Sequence, residues 1–235
     1  MELKVQSLKV SSAIILNNQF GKKRVIFTLA IQTLIKQGTV QTSFKEFDSI
    51  CGYKPNRHKN KINDEVKSFL INLNGTYIKD LTIDSGLIYF TTLPLFNNPL
   101  TYAVVYSNEF ESVINNTRTI TKASALLLLS YIRMNTYNSS YFDRMDNITE
   151  KIPMLDYRSL KRSIRLLEEL DIISTSQMAR YKDCNNKWHS GFIIFVNKHR
   201  YIKGVDDDKY IYEVEMMKAK QSIRNYQIRN SMSNK

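Results

Sequence analysis

Residues 156–171 carry Leu160, Ile164 and Leu167 at helical spacing, with Arg158, Arg162 and Arg165 at the complementary positions. At about 100° per residue the aliphatics converge on one direction and the arginines on the opposite one, so a helix here buries a face without burying charge. Such a helix needs a core beneath it and leaves a cationic ridge in water, which is the form of a DNA-recognition helix. Its neighbours supply the rest. Upstream, Asp146, Asn147 and Thr149 offer N-cap groups with Glu150 in the first turn, Ile148, Ile152 and Leu155 give a short second helix an apolar edge, and Pro153 helps to end it. Before it, residues 123–134 follow possible caps at Thr119 and Thr121 and are apolar nearly all round, as expected of a helix buried between neighbours. After the arginine helix come two apolar strands, 172–175 and 192–196, separated by a polar span with Arg180, Lys182, Lys187 and His189 on or near its tip. That order is helix, helix, helix and a two-stranded wing. In it, Arg158, Lys161 and Arg162 are the candidates for base edges or the phosphates bordering them, and Arg165 for a phosphate. The wing cations reach phosphates or a minor groove.

A similar order occurs earlier, without close residue identity. Residues 20–36 suit a first helix ended by Gly38, and Ser43-Phe44-Lys45-Glu46 is a capping-box pattern for a second that closes at Cys51-Gly52. A third follows Lys54-Pro55-Asn56. It directs Ile62, Val66, Phe69, Leu70 and Leu73 inward and Arg57, Asn60, Lys61, Asp64 and Lys67 roughly the other way, until Gly75 stops it. Strands over 77–83 and 87–93 flank Asp84-Ser85-Gly86, but this wing sets Lys79 against Asp80 and Asp84. The expected fold is α+β: two tandem winged-helix domains, 1–117 and 118–205, with a helical extension over 206–235. Charge favours the second as the stronger partner of an anionic duplex, with 13 basic and nine acidic residues up to Thr117 and 21 and 13 beyond it, or +4 against +8. Arg57, Asn60 and Lys61 are the candidate contacts of the first.

Catalytic signatures are sparse. No Gly-x-x-x-x-Gly-Lys phosphate loop occurs, and His58, His189 and His199 form no His-x-His pair of the kind that holds a nickase metal. Asp48 with Glu65 and Lys67 loosely imitates a nuclease pattern, but puts the glutamate and lysine on a helix where a strand is required. Asp206-Asp207-Asp208 reads as the start of a final helix, where acid complements the dipole. Cys51 and Cys184 lack zinc or redox-pair spacing. No enzyme activity, cofactor or metal is expected, and the absence of a signal-like amino terminus or an apolar run long enough to span a bilayer points to a cytoplasmic protein without a membrane partner.

Three residues admit competing readings. Trp188 beside the basic wing could stack on a sugar or base, although a lone tryptophan at a strand start more often anchors a core. His58 could contact a phosphate or cap its turn. Asp64 could accept from cytosine, but a local salt bridge to Lys61 or Lys67 is the simpler expectation.

In its order of elements over roughly residues 20–196, and in Thr121-Lys122-Ala123-Ser124-Ala125-Leu126-Leu127-Leu128-Leu129-Ser130-Tyr131 before the second helix pair, the chain resembles the initiator proteins of theta-replicating plasmids. Members of that family carry two winged helices in tandem. The resemblance implies monomers bound to repeated origin sites, homodimers that repress the initiator's own gene, and recruitment of a host initiator and helicase. A mobile-element transcriptional repressor, or a phage replication organiser or helicase loader, would fit the same DNA-binding reading. Of a different class is a protein-assembly adaptor, using Leu93-Pro94-Leu95-Phe96 and residues 102–106 as an interface.

Overall fold

The computed structural model describes residues 6–53, 59–116, 119–136, 140–182, 186–189, 191–197 and 208–232. Arg57, His58, Cys184, His199, Asp206 and Asp207 therefore lie outside the described residues. The chain is a mixed α/β protein with small antiparallel sheets, divided into compact units over 1–134 and 135–235.

In chain order the first unit runs β1 (Ser7–Ser11), α1 (Ser12–Leu16), a 3-10 turn (Asn18–Phe20), α2 (Arg24–Leu34), β2 (Thr39–Ser43), α3 (Phe44–Ile50), α4 (Lys59–Leu73), β3 (Ile78–Asp84), β4 (Leu87–Thr92), α5 (Pro94–Asn97), β5 (Tyr102–Tyr106), α6 (Ser107–Asn115) and α7 (Thr119–Met134). The rings of Phe27, Phe47 and Phe69 bring α2, α3 and α4 together, with centroids 5.8 Å apart for Phe27–Phe47 and 5.5 Å for Phe27–Phe69. Beside them β2, β4 and β3 form a sheet in that spatial order, so the first strand pairs with the last. The β3–β4 hairpin turns through Ser85 and Gly86, both at positive φ, as a two-residue turn requires. Ser43 caps α3 through Glu46 N–H, as the capping pattern expects, but the Glu46 carboxylate accepts from the Thr42 hydroxyl at 2.8 Å instead of closing the box.

Helix α2 starts later than the sequence pattern suggests. Phe20 belongs to the separate 3-10 turn, and the wholly buried Arg24 folds back to donate to the carbonyls of Ile15 and Gly21. Burial lowers its pKa to about 10. A second, two-stranded sheet pairs β1 with β5.

The expected boundary at 117/118 is not where the units divide. Helix α7, read as the opening helix of the second domain, packs among α1, α2, α6 and β5 of the first unit. Its all-round apolar surface, with Leu126 to Leu129 wholly buried, is satisfied there. Lys122 donates to the Ile114 carbonyl, and Arg133 donates to the Val104 carbonyl at 2.9 Å and pairs with the buried Glu109.

The second unit runs β6 (Ser140–Arg144), α8 (Met145–Lys151), α9 (Tyr157–Glu169), β7 (Ile173–Gln177), β8 (Tyr181–Lys182), β9 (Trp188–His189), β10 (Phe192–Asn197) and α10 (Asp208–Met232). Its three-stranded sheet has the order β6, β10, β7, again first strand beside last. Every residue of β10 is buried. Phe192, Ile194 and Val196 pack on Met216, Ala219 and Ile223 of α10, while Phe195 alternates to the other face and stacks on Tyr141. The segment expected as an extension is thus the helix that closes one face of this sheet. No helix among the described residues is long and apolar enough to cross a membrane.

Candidate nucleic-acid interface

Helix α9 is fixed at its start by Asp156, whose carboxylate accepts from Ser159 N–H at 2.6 Å. Leu160 and Leu167 are wholly buried and Ile164 nearly so, as their spacing requires. Tyr157, Arg158, Lys161, Arg162 and Arg165 all stand exposed on the outer side. Among the described residues Arg158 and Arg162 make no ion pair, and Lys161 lies 4.7 Å from the Tyr157 ring centre. The last turn differs: Arg165 donates to Glu169 at 2.8 Å, and Glu168 accepts from Thr175 at 2.6 Å. The uncommitted cations thus belong to the first two turns. The Arg165 pair is exposed, so little is lost on exchanging its carboxylate for a phosphate.

Beyond β7 the segment expected as a wing carries Arg180, Lys182 and Lys187, all exposed. Strands β8 and β9 pair antiparallel, with Lys182 opposite Trp188 and Tyr181 opposite His189. Trp188 is 63% exposed, which overturns its reading as a core anchor. The reason is geometric: among the described residues β8 and β9 pair only with each other, apart from the three-stranded sheet whose face Phe192, Ile194 and Val196 bury. At the wing's base Met178 N–H donates to the Phe192 carbonyl at 2.8 Å, and a Cβ on Gly191 would stand 1.8 Å from the Met178 carbonyl oxygen. Only glycine lets the two backbones approach this closely.

A chain of polar contacts ties the wing to the start of α8. Arg144 donates to Nδ1 of His189 at 2.8 Å and to Asn147 at 2.7 Å, and Asn147 donates to Asp143 at 2.9 Å. Burial alone would raise the Asp143 pKa, but hydrogen bonds from Tyr141, Asn147, the Arg144 backbone N–H and Lys151 outweigh it and hold the carboxyl below its ordinary value. One hollow of about 670 Å³ is lined by Asp146 and Thr149 of α8, Tyr157 of α9, and Arg180 and Gly191 of the wing base. The α9 amino terminus and the wing therefore face a common space.

The corresponding face in the first unit is mixed in sign. Asn60 lies in the first turn of α4, and Lys61 is exposed. Lys61 shares a hollow of about 620 Å³ with Lys22, Lys23, Asp64 and Glu65. The expected salt bridge from Asp64 to Lys61 or Lys67 is not made: an ion pair on this face joins Lys23 to Glu65, and Lys67 lies 5.6 Å from the Phe44 ring centre. Lys79 is 3.9 Å from Asp80, both exposed on β3. After α3, burial raises the pKa of both Cys51 and Tyr53 and keeps them neutral, with Asp48 reinforcing the shift. Among the described residues no group of three or more His, Cys, Asp and Glu could hold a metal ion.

Sequence reasoning missed two contributors. Tyr157 is the residue next to the cap and sits one helical turn before Lys161, a spacing that could have flagged it. Arg144 had no such signal, because its contact with His189 spans 45 residues. No protein-family model matches the chain, and no curated protein does.

Proposed function

We propose that the chain is a sequence-specific binder of double-stranded DNA, built as two winged helices, and that it acts as a replication initiator of a plasmid or other mobile element. The observation that carries this reading is the outer face of α9, where Arg158, Lys161 and Arg162 project from a helix seated on buried aliphatics. Supporting the winged-helix assignment, each unit has a three-stranded sheet whose first strand is followed by two helices and lies beside its last strand, the second unit adding the β8–β9 hairpin between its last two sheet strands.

In this mechanism α9 enters the major groove amino-terminal turns first. Arg158 and Arg162 read guanine edges or hold the bordering phosphates, while Arg180, Lys182 and Lys187 of the wing reach the flanking backbone. The first unit, through Asn60, Lys61 and Arg57, adds a weaker contact that lengthens the site. Phosphate neutralisation releases counterions, so binding is strongly salt-dependent. Homodimerisation, and recruitment of a host initiator and helicase, belong to the initiator reading through the family resemblance.

The test is binding to DNA flanking the native gene. Selective binding to tandem direct repeats supports initiation, a lone palindrome supports the repressor alternative, and equal affinity for every duplex contradicts specific recognition. A second reading, the assembly adaptor, draws on Leu95, Leu100 and Tyr102, which are exposed within one stretch of the first unit. An adaptor would bind DNA weakly and without sequence preference.

A further inference from the structure

Trp188 is the chain's one tryptophan, and it stands on the wing with most of its surface in water. Large aromatic side chains are ordinarily well buried, so an indole held out on a polar hairpin calls for an occupant. Its surroundings narrow the choice. Lys182, its cross-strand partner, places its ammonium 5.1 Å from the ring centre and so covers one face of the indole. Arg180 and Lys187 are exposed on the same hairpin, and the sequence from Arg180 to His189 holds three such cations against one acid, Asp183. A flat π-face flanked by cations complements a group that is itself flat, aromatic and joined to an anion. A nucleobase with its phosphate has those properties; an aliphatic protein surface does not.

Paired bases in duplex DNA already have both faces occupied by their neighbours. Stacking on Trp188 therefore requires a base that has left the helix. Resting on the DNA-binding reading above, we infer that the paired strands β8 and β9 of the second unit carry a binding site for an unpaired nucleobase. Trp188 stacks on the base, Lys182 backs the indole, and Lys187 and Arg180 hold the adjoining phosphates. The unit then grips duplex through α9, and where the duplex opens beside its site the wing cations that otherwise lie on flanking duplex phosphates follow the unpaired strand, so the unit favours opened DNA.

Because the chain has no other tryptophan, its intrinsic indole fluorescence reports Trp188 directly. The whole 235-residue chain is titrated with a long blunt duplex, with oligothymidylate, and with the same duplex bearing a thymidine overhang. Quenching by the two substrates with unpaired bases, and little change with blunt duplex, is the expected result. Trp188→Ala should weaken binding to the overhang substrate about 5- to 150-fold, the equivalent of roughly 1–3 kcal/mol per stacked base, with blunt-duplex affinity held within about twofold. Trp188→Phe should retain most of the preference. Equal loss on both substrates, loss on neither, or unmoved emission at saturating oligothymidylate overturns the inference while leaving duplex binding standing. Failure of the wild-type chain to bind any of the three substrates overturns the DNA-binding reading itself.

Discussion

Replacing Arg158 and Arg162 together by alanine separates the function of α9 from its stability. Both side chains are exposed and make no ion pair among the described residues, whereas Leu160, Ile164 and Leu167 remain buried beneath them. The double variant should therefore melt like the wild type, with a stability change within about 0.5 kcal/mol. Its binding should change in one of two distinguishable ways. If each arginine neutralises one phosphate, the slope of log K against log salt falls by about 1.8, so from 50 to 200 mM salt the wild type loses roughly tenfold more affinity than the variant. If they read bases, the slope holds and discrimination between target and unrelated duplex shrinks by roughly 1–3 kcal/mol for each bidentate contact removed. Fluorescence anisotropy on labelled duplexes, repeated over a salt series, measures both quantities. A variant that keeps the wild-type slope and the wild-type selectivity refutes the assignment. Lys61→Ala should do less than either single arginine change, because Asp64 and Glu65 line the same hollow.

Gly191→Ala sets a methyl group against the Met178 carbonyl, so it should cost the second unit about 1–3 kcal/mol or more in urea unfolding and loosen the wing; wild-type stability would show that the backbone approach is unimportant. Asp143 has a folded pKa below its ordinary carboxylate value, so its contribution is present above that ordinary value and is lost as pH falls from it through the lower folded one. Asp143→Asn should flatten this acid limb of the stability curve and destabilise the unit at neutral pH, and an unchanged limb in acid titration by circular dichroism would contradict the role.

The amphipathic helices were legible because their signal is local. The separation of arginine from leucine in α9, and of lysine from phenylalanine and valine in α4, needs only helical periodicity. The β3–β4 hairpin announced itself through Asp84-Ser85-Gly86. Strands β2 and β6 had no comparable local signal, being short, largely polar segments whose partners β4 and β10 lie about 50 residues away. The β1–β5 pair joins Ser7 to Tyr106 and is likewise a tertiary choice. For α7 the pattern correctly demands neighbours on every side, but it cannot say which neighbours, and the anchors at Ile114, Val104 and Glu109 draw the helix to the first unit. Trp188 was misplaced for a related reason: strand propensity does not reveal whether a core lies under the strand. At the candidate interface the cations were readable from sequence, whereas the acids that temper them required contacts. Lys23–Glu65 and Arg165–Glu169 show why equal counts of lysine and arginine need not give equal interfaces.

The most direct test is residue-resolved lysine acylation of the free protein and of its complex with duplex DNA, read by mass spectrometry. Lys161 on α9 and Lys182 and Lys187 on the wing should become strongly protected, while Lys36, exposed on the turn before β2, keeps its reactivity. Unchanged reactivity at Lys161, Lys182 and Lys187 in a saturated complex would contradict the assignment of α9 and its wing as the DNA-contacting surface.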